Sequence, residues 1–129
     1  MKTLLTKAFD LSVPVIQAPM AFVAGGALAS AVSRAGGLGL IGGGYGDADW
    51  LETQFLAAGD QPVGCGFISF SVADRPELLD QVLDRGPTAL FLSFADPVRG
   101  ESSRATIGEN RPPRVRQGAV LVLSRQGSL

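Results

Sequence analysis

A charge-poor, glycine-rich stretch in the N-terminal part of the chain constrains the fold more than any other feature. It runs from Val13 to Gly46 and contains one charged residue, Arg34. Nine of its residues are glycine. Because charged side chains avoid the interior and glycine lets a backbone come close to other atoms, this stretch predicts a buried segment that approaches something closely.

The stretch divides into a strand, a helix and a second strand. VPVIQ, residues 13–17, is a short β-branched run, and Pro19 prevents its continuation as a central strand. Residues 24–37 carry small and apolar side chains at helical spacing and end in glycines, which predicts a closely packed helix. LGLI, residues 38–41, is a second short strand, and the turn GGGYG follows it. The order predicts a βαβ unit.

The alternation of helix and strand continues beyond this unit. The further predicted elements are a helix capped by Asp47 or Asp49, a strand at residues 63–70, a helix opened by Asp74 and Pro76, and a strand at residues 88–94. The four strands begin near residues 14, 38, 63 and 88, so the unit repeats every 24 or 25 residues. Continuous apolar strands in such repeats predict a parallel sheet, either doubly wound or closed as a barrel. Four such units would be half of a (β/α)8 barrel, which needs at least about 200 residues, so we expect an α/β fold with both arrangements open.

The composition changes abruptly after residue 98. Residues 1–98 hold five Lys and Arg against ten Asp and Glu, whereas residues 99–129 hold six Arg against two Glu. The sequence therefore predicts a βα-repeat region at residues 1–98 and an irregular basic tail at residues 99–129. Within this tail, only Ala119–Leu123 has the pattern of a strand.

Three explanations for the basic tail are open. A solvated tail is favoured over a basic patch for nucleic acid or membrane, because all aromatic residues lie at or before Phe94 and none interleaves with these arginines. The third explanation is an out-of-frame or otherwise altered end. We expect neither nucleic acid nor membrane as a partner.

Residue composition excludes several classes of site. The single Cys65 rules out an internal disulfide, and a chain without histidine cannot build a Cys/His zinc site. The N-terminal residues lack a secretory apolar region, so a cytoplasmic protein is expected. Residues 11–33 are uncharged over a length that could span a bilayer, but Pro14, Pro19 and the glycines favour a strand and a buried helix.

Two glycine motifs differ in their structural context. Residues 37–42 match G-x-G-x-x-G, yet they follow a helix and contain a strand, which is the wrong order for a dinucleotide site. GGGYG follows a strand and precedes a helix, as a ligand at the carboxyl ends of parallel strands requires. Met20, Tyr45 and Ser69 lie at predicted strand ends and are candidate ligand contacts, while Cys65 is expected to be an inert buried thiol.

Taken together, VPVIQAPMA and AVSRAGGLGLIGGG resemble the N-terminus of the nitronate monooxygenases, formerly called 2-nitropropane dioxygenases. The resemblance extends from about Leu11 to Asp96. It implies an FMN-dependent (β/α)8 TIM barrel, of which residues 1–98 would form the N-terminal half, the first four βα units. The implied enzyme oxidises alkyl nitronates with dioxygen, with the flavin carrying the electron chemistry.

The resemblance also implies which residues contact the flavin. Ala18, Pro19 and Met20 would lie against the isoalloxazine ring, and Gly42 and Gly43 would close the adjacent wall. Two further contacts are implied at Gly66, where many members carry a flavin-binding asparagine and only backbone approach remains here, and at Ser93.

No catalytic residue is assigned within the chain. In the family, the phosphate-binding glycines and the catalytic histidine belong to later strands, and this sequence has no histidine. The resemblance therefore implies weak flavin binding by the chain alone. Two alternatives are a related flavin barrel such as an enoyl reductase, and a non-catalytic fragment or assembly partner. A half-barrel exposes sheet edges and apolar surface, so self-association is expected.

Overall fold

The protein alternates helices and strands along most of its length. The structure, a computed structural model, describes residues 1–72, 75–93 and 119–123. In chain order, the elements are α1 Leu4–Phe9, α2 Gly26–Arg34, β1 Gly39–Gly44, α3 Ala48–Ala58, β2 Val63–Ile68, α4 Ser69–Val72, α5 Pro76–Asp84, β3 Ala89–Ser93 and β4 Ala119–Leu123.

The strands form one sheet in the order β1-β2-β3-β4. β1, β2 and β3 are parallel, whereas β4 pairs antiparallel with β3. Three parallel strands with intervening helices confirm the predicted α/β class and agree with part of a TIM-barrel-like fold. A strand at Ala119–Leu123 was also predicted, although its antiparallel direction differs from the continuation of a barrel.

The prediction of a regular strand at residues 13–17 is wrong. A single parallel bridge joins Ile16 to Leu38. Around it, Leu38 N donates to Val15 O at 2.9 Å, and Gln17 N donates to Leu38 O at 2.9 Å. Pro14 has no N–H to extend this pairing, so a longer ladder is not formed. Within the described residues, the first of the four predicted βα units therefore lacks a regular strand.

Two strand ends differ from the sequence prediction. β1 continues to Gly44, where positive φ values at Gly44 (52°) and Gly46 (80°) then turn the chain. β2 ends at Ile68, and Ser69, which was expected at the end of the strand, begins the short helix α4. The turn after β1 therefore starts later than predicted, and the one after β2 starts earlier.

Helices α2 and α3 pack closely, as the small residues of α2 predict. A Cβ at Gly26 would overlap the backbone of Gln54 in α3, so the two helices touch where Gly26 has no side chain. The side-chain oxygen of Gln54 accepts a hydrogen bond from Gly26 N at 2.9 Å. Gln54 thus satisfies one of the N–H groups that the start of a helix leaves unpaired.

The structure shows which of the two aspartates that the sequence offered as N-cap of α3 has that role. Asp47 is the N-cap, and its carboxylate accepts from Trp50 N at 2.9 Å, while Asp49 lies in the first turn. Gly59 ends the helix as predicted. Before α5, Arg75 occupies the cap position without a side-chain hydrogen bond, and the predicted cap Asp74 lies outside the described residues.

The two faces of the sheet have separate apolar cores. One face packs Ile41, Cys65 and Leu90 against residues of α3 and α5. The other, which we call the inner face, carries Leu40 and Ala89 and is covered by apolar residues from the N-terminal segment, namely Phe9, Leu11 and Ile16. Each fully buried leucine stabilises the fold by about 1.5–3 kcal/mol relative to exposure.

A membrane span is not found where the structure describes the chain. No helix within residues 1–72, 75–93 or 119–123 is long and apolar enough to cross a bilayer.

Candidate functional site

The turn of Ala18, Pro19 and Met20 is held against the carboxyl end of β1. Met20 O accepts from Ala24 N at 2.8 Å, and Ala24 O in turn accepts from Gly42 N at 2.8 Å. These two backbone bonds connect the turn to the sheet through Ala24. Ala18 and Met20 are exposed, so the turn presents an apolar surface outward.

Two glycines make room for this turn on the inner face. A Cβ at Gly66 would overlap the ring of Pro19, and a Cβ at Gly42 would overlap the carbonyl group of Met20. Any other residue at either position would push the turn away from the sheet. The close backbone approach that the sequence predicted is thus, in this structure, an approach between the chain's own segments.

Gln17 fixes the beginning of the turn and was not singled out by sequence analysis. Its Nε2 donates to Leu40 O at 3.0 Å and also to Ala18 O. Its Oε1 is buried and has no hydrogen-bond partner among the described residues. A polar residue that ends an apolar run was the available signal in the sequence.

The other two predicted contacts, Gly43 and Ser93, lie against Phe67. A Cβ at Gly43 would lie 2.6 Å from the Phe67 ring, and Ser93 Oγ donates to Phe67 O at 3.1 Å. The structure therefore groups Gly42 and Gly66 under the Ala18–Met20 turn. Gly43 and Ser93 instead hold the adjoining ends of β1, β2 and β3.

A cavity of about 400 Å³ opens beside the turn, at the carboxyl end of β1. The glycine-rich backbone from Gly42 to Gly46 forms its floor. Three aromatic residues and two charged residues line its walls: Phe22, Tyr45, Trp50, Asp47 and Arg75. Tyr45, a candidate contact from the sequence, thus lies in a cavity, whereas Met20 lies outside its lining.

Hydrogen bonds hold the cavity walls to its floor. Trp50 Nε1 donates to Gly42 O at 3.3 Å, and Arg75 Nη1 donates to Gly46 O at 2.8 Å. The rings of Phe22 and Trp50 lie 6.0 Å apart, centroid to centroid, tilted by 59°. Phe22 has a positive φ of 61°, which is strained for a bulky residue.

Cys65 lies on the helix-covered face of β2, away from the turn. The residue is fully buried within the larger core. Burial raises the pKa of its thiol from 9.0 to about 12, although hydrogen bonds with the backbone of Gly43 and Gly66 oppose this effect. The thiol is therefore protonated at neutral pH and unreactive, as predicted.

Helices on a parallel sheet, with bare backbone and a cavity at the strand ends, define an α/β protein of the kind that binds ligands at that edge. The family model for nitronate monooxygenase matches residues 2–83. The chain belongs to this family of flavin-dependent oxidoreductases, which confirms the resemblance found in the sequence. Comparison with curated proteins gives no significant match.

Solved structures of FabK from Thermotoga maritima share the fold. FabK aligns with a TM-score of 0.53 and 20% sequence identity, over 81% of this chain and 41% of FabK. A FabK variant from the same organism gives the same TM-score, identity and coverage of this chain, and 43% of its own length is covered. The chain thus spans less than half the length of these relatives.

Proposed function

We propose that the chain provides one wall of an FMN site in an enzyme that oxidises alkyl nitronates with dioxygen. The observation that carries the proposal is the exposed Ala18–Met20 turn, held on the side-chain-free backbone of Gly42 and Gly66. FMN, when bound, supplies the electron chemistry, and the protein orients the ring. The family match supports the flavin, and the residue pattern of the turn supports the reaction.

The residues of the turn fit an uncharged planar ring. None of the seven predicted contacts has a charged side chain, and Ala18 and Met20 are exposed beside the strand ends. Gln17 keeps the first carbonyl of the turn in place through its Nε2. We assign to Gln17, Ala18 and Met20 the positioning of the ring and the exclusion of water from one side of it.

A phosphate group would find no cation among these same seven residues. In TIM barrels, phosphate is commonly held by loops after the seventh and eighth strands and by a helix N-terminus. The chain should therefore recognise the flavin ring and not the ribityl phosphate. This separation of ring and phosphate recognition gives the proposal a direct test.

The first test compares FMN with lumiflavin, which has the same ring without the ribityl phosphate. We expect the full chain to bind both weakly, with dissociation constants that agree within about twofold, measured by flavin absorbance difference spectra. Much tighter binding of FMN would show a phosphate site that the seven residues do not supply. A stoichiometric yellow complex with nitronate turnover would contradict the weak binding expected.

The second test displaces the turn. Gly66→Ala places a methyl group against Pro19, so we expect lumiflavin binding to weaken at least tenfold. Gly59→Ala is the control for a glycine-to-alanine change away from the turn. Gly59 has a positive φ of 63°, which makes the substitution costly, but nothing lies within 4 Å of its added Cβ. The control should lose some thermal stability and keep its lumiflavin affinity. Equal losses of binding in both variants would contradict a ring site at the turn.

Enoyl reduction is the second candidate reaction, and the structural likeness to FabK favours it. The likeness shows a shared fold at 20% identity, so the two reactions must be separated by activity. An intact homologue should oxidise alkyl nitronates with dioxygen and should not couple NAD(P)H oxidation to reduction of an enoyl thioester. The opposite result would assign the family's reductase chemistry to this branch.

A further inference from the structure

We propose that the cavity beside β1 binds a second ligand, a neutral planar ring that carries both a hydrogen-bond acceptor and a donor. Its volume of about 400 Å³ lies within the range of small-molecule sites. The proposed ligand is distinct from the flavin ring. Gly42 and Gly43 belong to both linings, but the turn residues Ala18–Met20 and Gly66, which carry the proposed flavin wall, do not line this cavity.

The shape of the cavity favours a flat ligand. Its floor is the backbone of Gly42–Gly46, where the lack of side chains lets a ring lie close to the peptide groups. Its walls include Tyr45, whose side chain is largely exposed, and the tilted pair of Phe22 and Trp50. Aromatic rings of this kind bind other rings by stacking or by edge-to-face contact.

The strained conformation of Phe22 is a second, independent observation. Phe22 combines a positive φ of 61° with 71% exposure, so its own burial does not compensate for the strain. Strain of this kind concentrates at ligand sites. Here it holds an exposed aromatic ring 6.0 Å from that of Trp50, in the lining of the cavity.

The charges of the lining select a neutral ligand with two polar groups. Arg75 Nη1 donates to Gly46 O, and Arg75 Nε lies 3.7 Å from Glu77 Oε1, so the guanidinium retains N–H donors at Nη2 for an acceptor on the ligand. Asp47 lines the same cavity. Its carboxylate accepts a hydrogen bond from Trp50 N and can accept further hydrogen bonds from a ligand. An anionic ring would face Asp47, and a cationic ring would face Arg75, so each is disfavoured relative to a neutral amide.

The probe that tests this proposal is benzamide, whose carbonyl can accept from Arg75 and whose amide can donate to Asp47. Trp50 is the only tryptophan, so its indole N–H gives one NMR resonance that reports on the cavity. We expect benzamide to shift this resonance saturably, with at least fivefold weaker binding for benzoate, benzylammonium and the non-planar cyclohexanecarboxamide. Tighter binding of any of these three, or no saturable shift with benzamide, would overturn the proposal.

Matched variants assign the binding to the cavity walls. Arg75→Met should weaken benzamide binding about fivefold to tenfold, whereas Arg85→Met should leave it unchanged, because Arg85 pairs with Glu52 outside the cavity. Tyr45→Ala should weaken binding similarly, with Leu56→Ala as the exposed apolar control. Circular dichroism identifies variants that fail to fold, and any such variant is replaced by Arg75→Gln or Tyr45→Leu. Equal effects in test and control variants would overturn the assignment.

Competition with lumiflavin separates this proposal from the flavin site. Lumiflavin added to the benzamide complex should leave the benzamide affinity unchanged. Competitive displacement would show a single shared site and would overturn the second one. Failure of lumiflavin binding alone would contradict only the proposed flavin wall.

Discussion

At the scale of the single residue, the surroundings of each glycine and of the one cysteine decide its role. Gly42 and Gly66 are needed because the Ala18–Met20 turn lies where their side chains would be. At Cys65, by contrast, there is room for a small side chain, and the core that encloses the thiol keeps it from ionising. Both roles follow from packing, and neither requires chemistry at the residue itself.

The ionisation of Cys65 gives a prediction for stability at high pH. Its thiol titrates near 9.0 when unfolded and near 12 when folded, so both states are protonated below pH 9. As the pH rises above 9, only the unfolded state loses the proton, which lowers the free energy of unfolding by about 1.4 kcal/mol at pH 10. Urea unfolding at pH 8 and pH 10 measures this decrease.

Cys65→Ala serves as the reference for this measurement. The variant is less stable at both pH values because it leaves a small cavity. Its decrease between pH 8 and pH 10 should be smaller than that of the wild type by about 1.4 kcal/mol. An identical decrease in both proteins would mean that the thiol ionises as easily in the folded state.

At the scale of the element, α3 shows how a cap can be assigned between two neighbouring carboxylates. Asp47 accepts from Trp50 N, so Asp47→Ala should lower the free energy of unfolding by about 1 kcal/mol. Asp49 lies in the first turn and acts only through the helix dipole, so Asp49→Ala should cost about 0.5 kcal/mol or less. Urea titration of both variants decides the matter, and a larger loss for Asp49→Ala would reverse the assignment.

At the scale of the whole molecule, β4 covers one edge of the parallel sheet. It pairs antiparallel with β3 from Ala119 to Leu123, where a barrel would place another parallel strand. At the opposite edge, Val13 and Val15 are exposed next to the single bridge at Ile16. Unpaired edges promote association, so the molecule should self-associate more when β4 is lost.

Proline substitution in β4 tests this role. Of two successive N–H groups in a strand, one points toward β3, so Leu121→Pro combined with Val122→Pro removes a pairing donor. We expect the double variant to form larger species in size-exclusion chromatography with light scattering, increasingly so at higher concentration. Threonine at the same two positions keeps both N–H groups and should behave as the wild type. A proline variant that remains the size of the wild type would show that β4 does not protect the sheet.

The amount of structure predicted from the sequence varied with the range of the interactions involved. The ends of α3, the strands around Cys65 and Leu90, and the close packing of α2 follow from local patterns and from glycine, and the structure confirms them. The first strand was predicted from its β-branched residues and is reduced to one bridge, since pairing depends on a neighbour and on available N–H groups. Helix α1 was not predicted, because its capping box lies in a short segment with little periodicity.

The candidate site likewise has features that follow from local sequence patterns and features that depend on long-range contacts. Contiguous motifs of glycine, proline and small residues are enough to identify the family and to locate the Ala18–Met20 turn. The packing of Pro19 against Gly66 and the bond from Gln17 to β1 are seen only in the folded chain. The same holds for the cavity that Phe22, Trp50 and Arg75 share. These residues are far apart in the chain, and only the folding of the βα units brings them within contact distance.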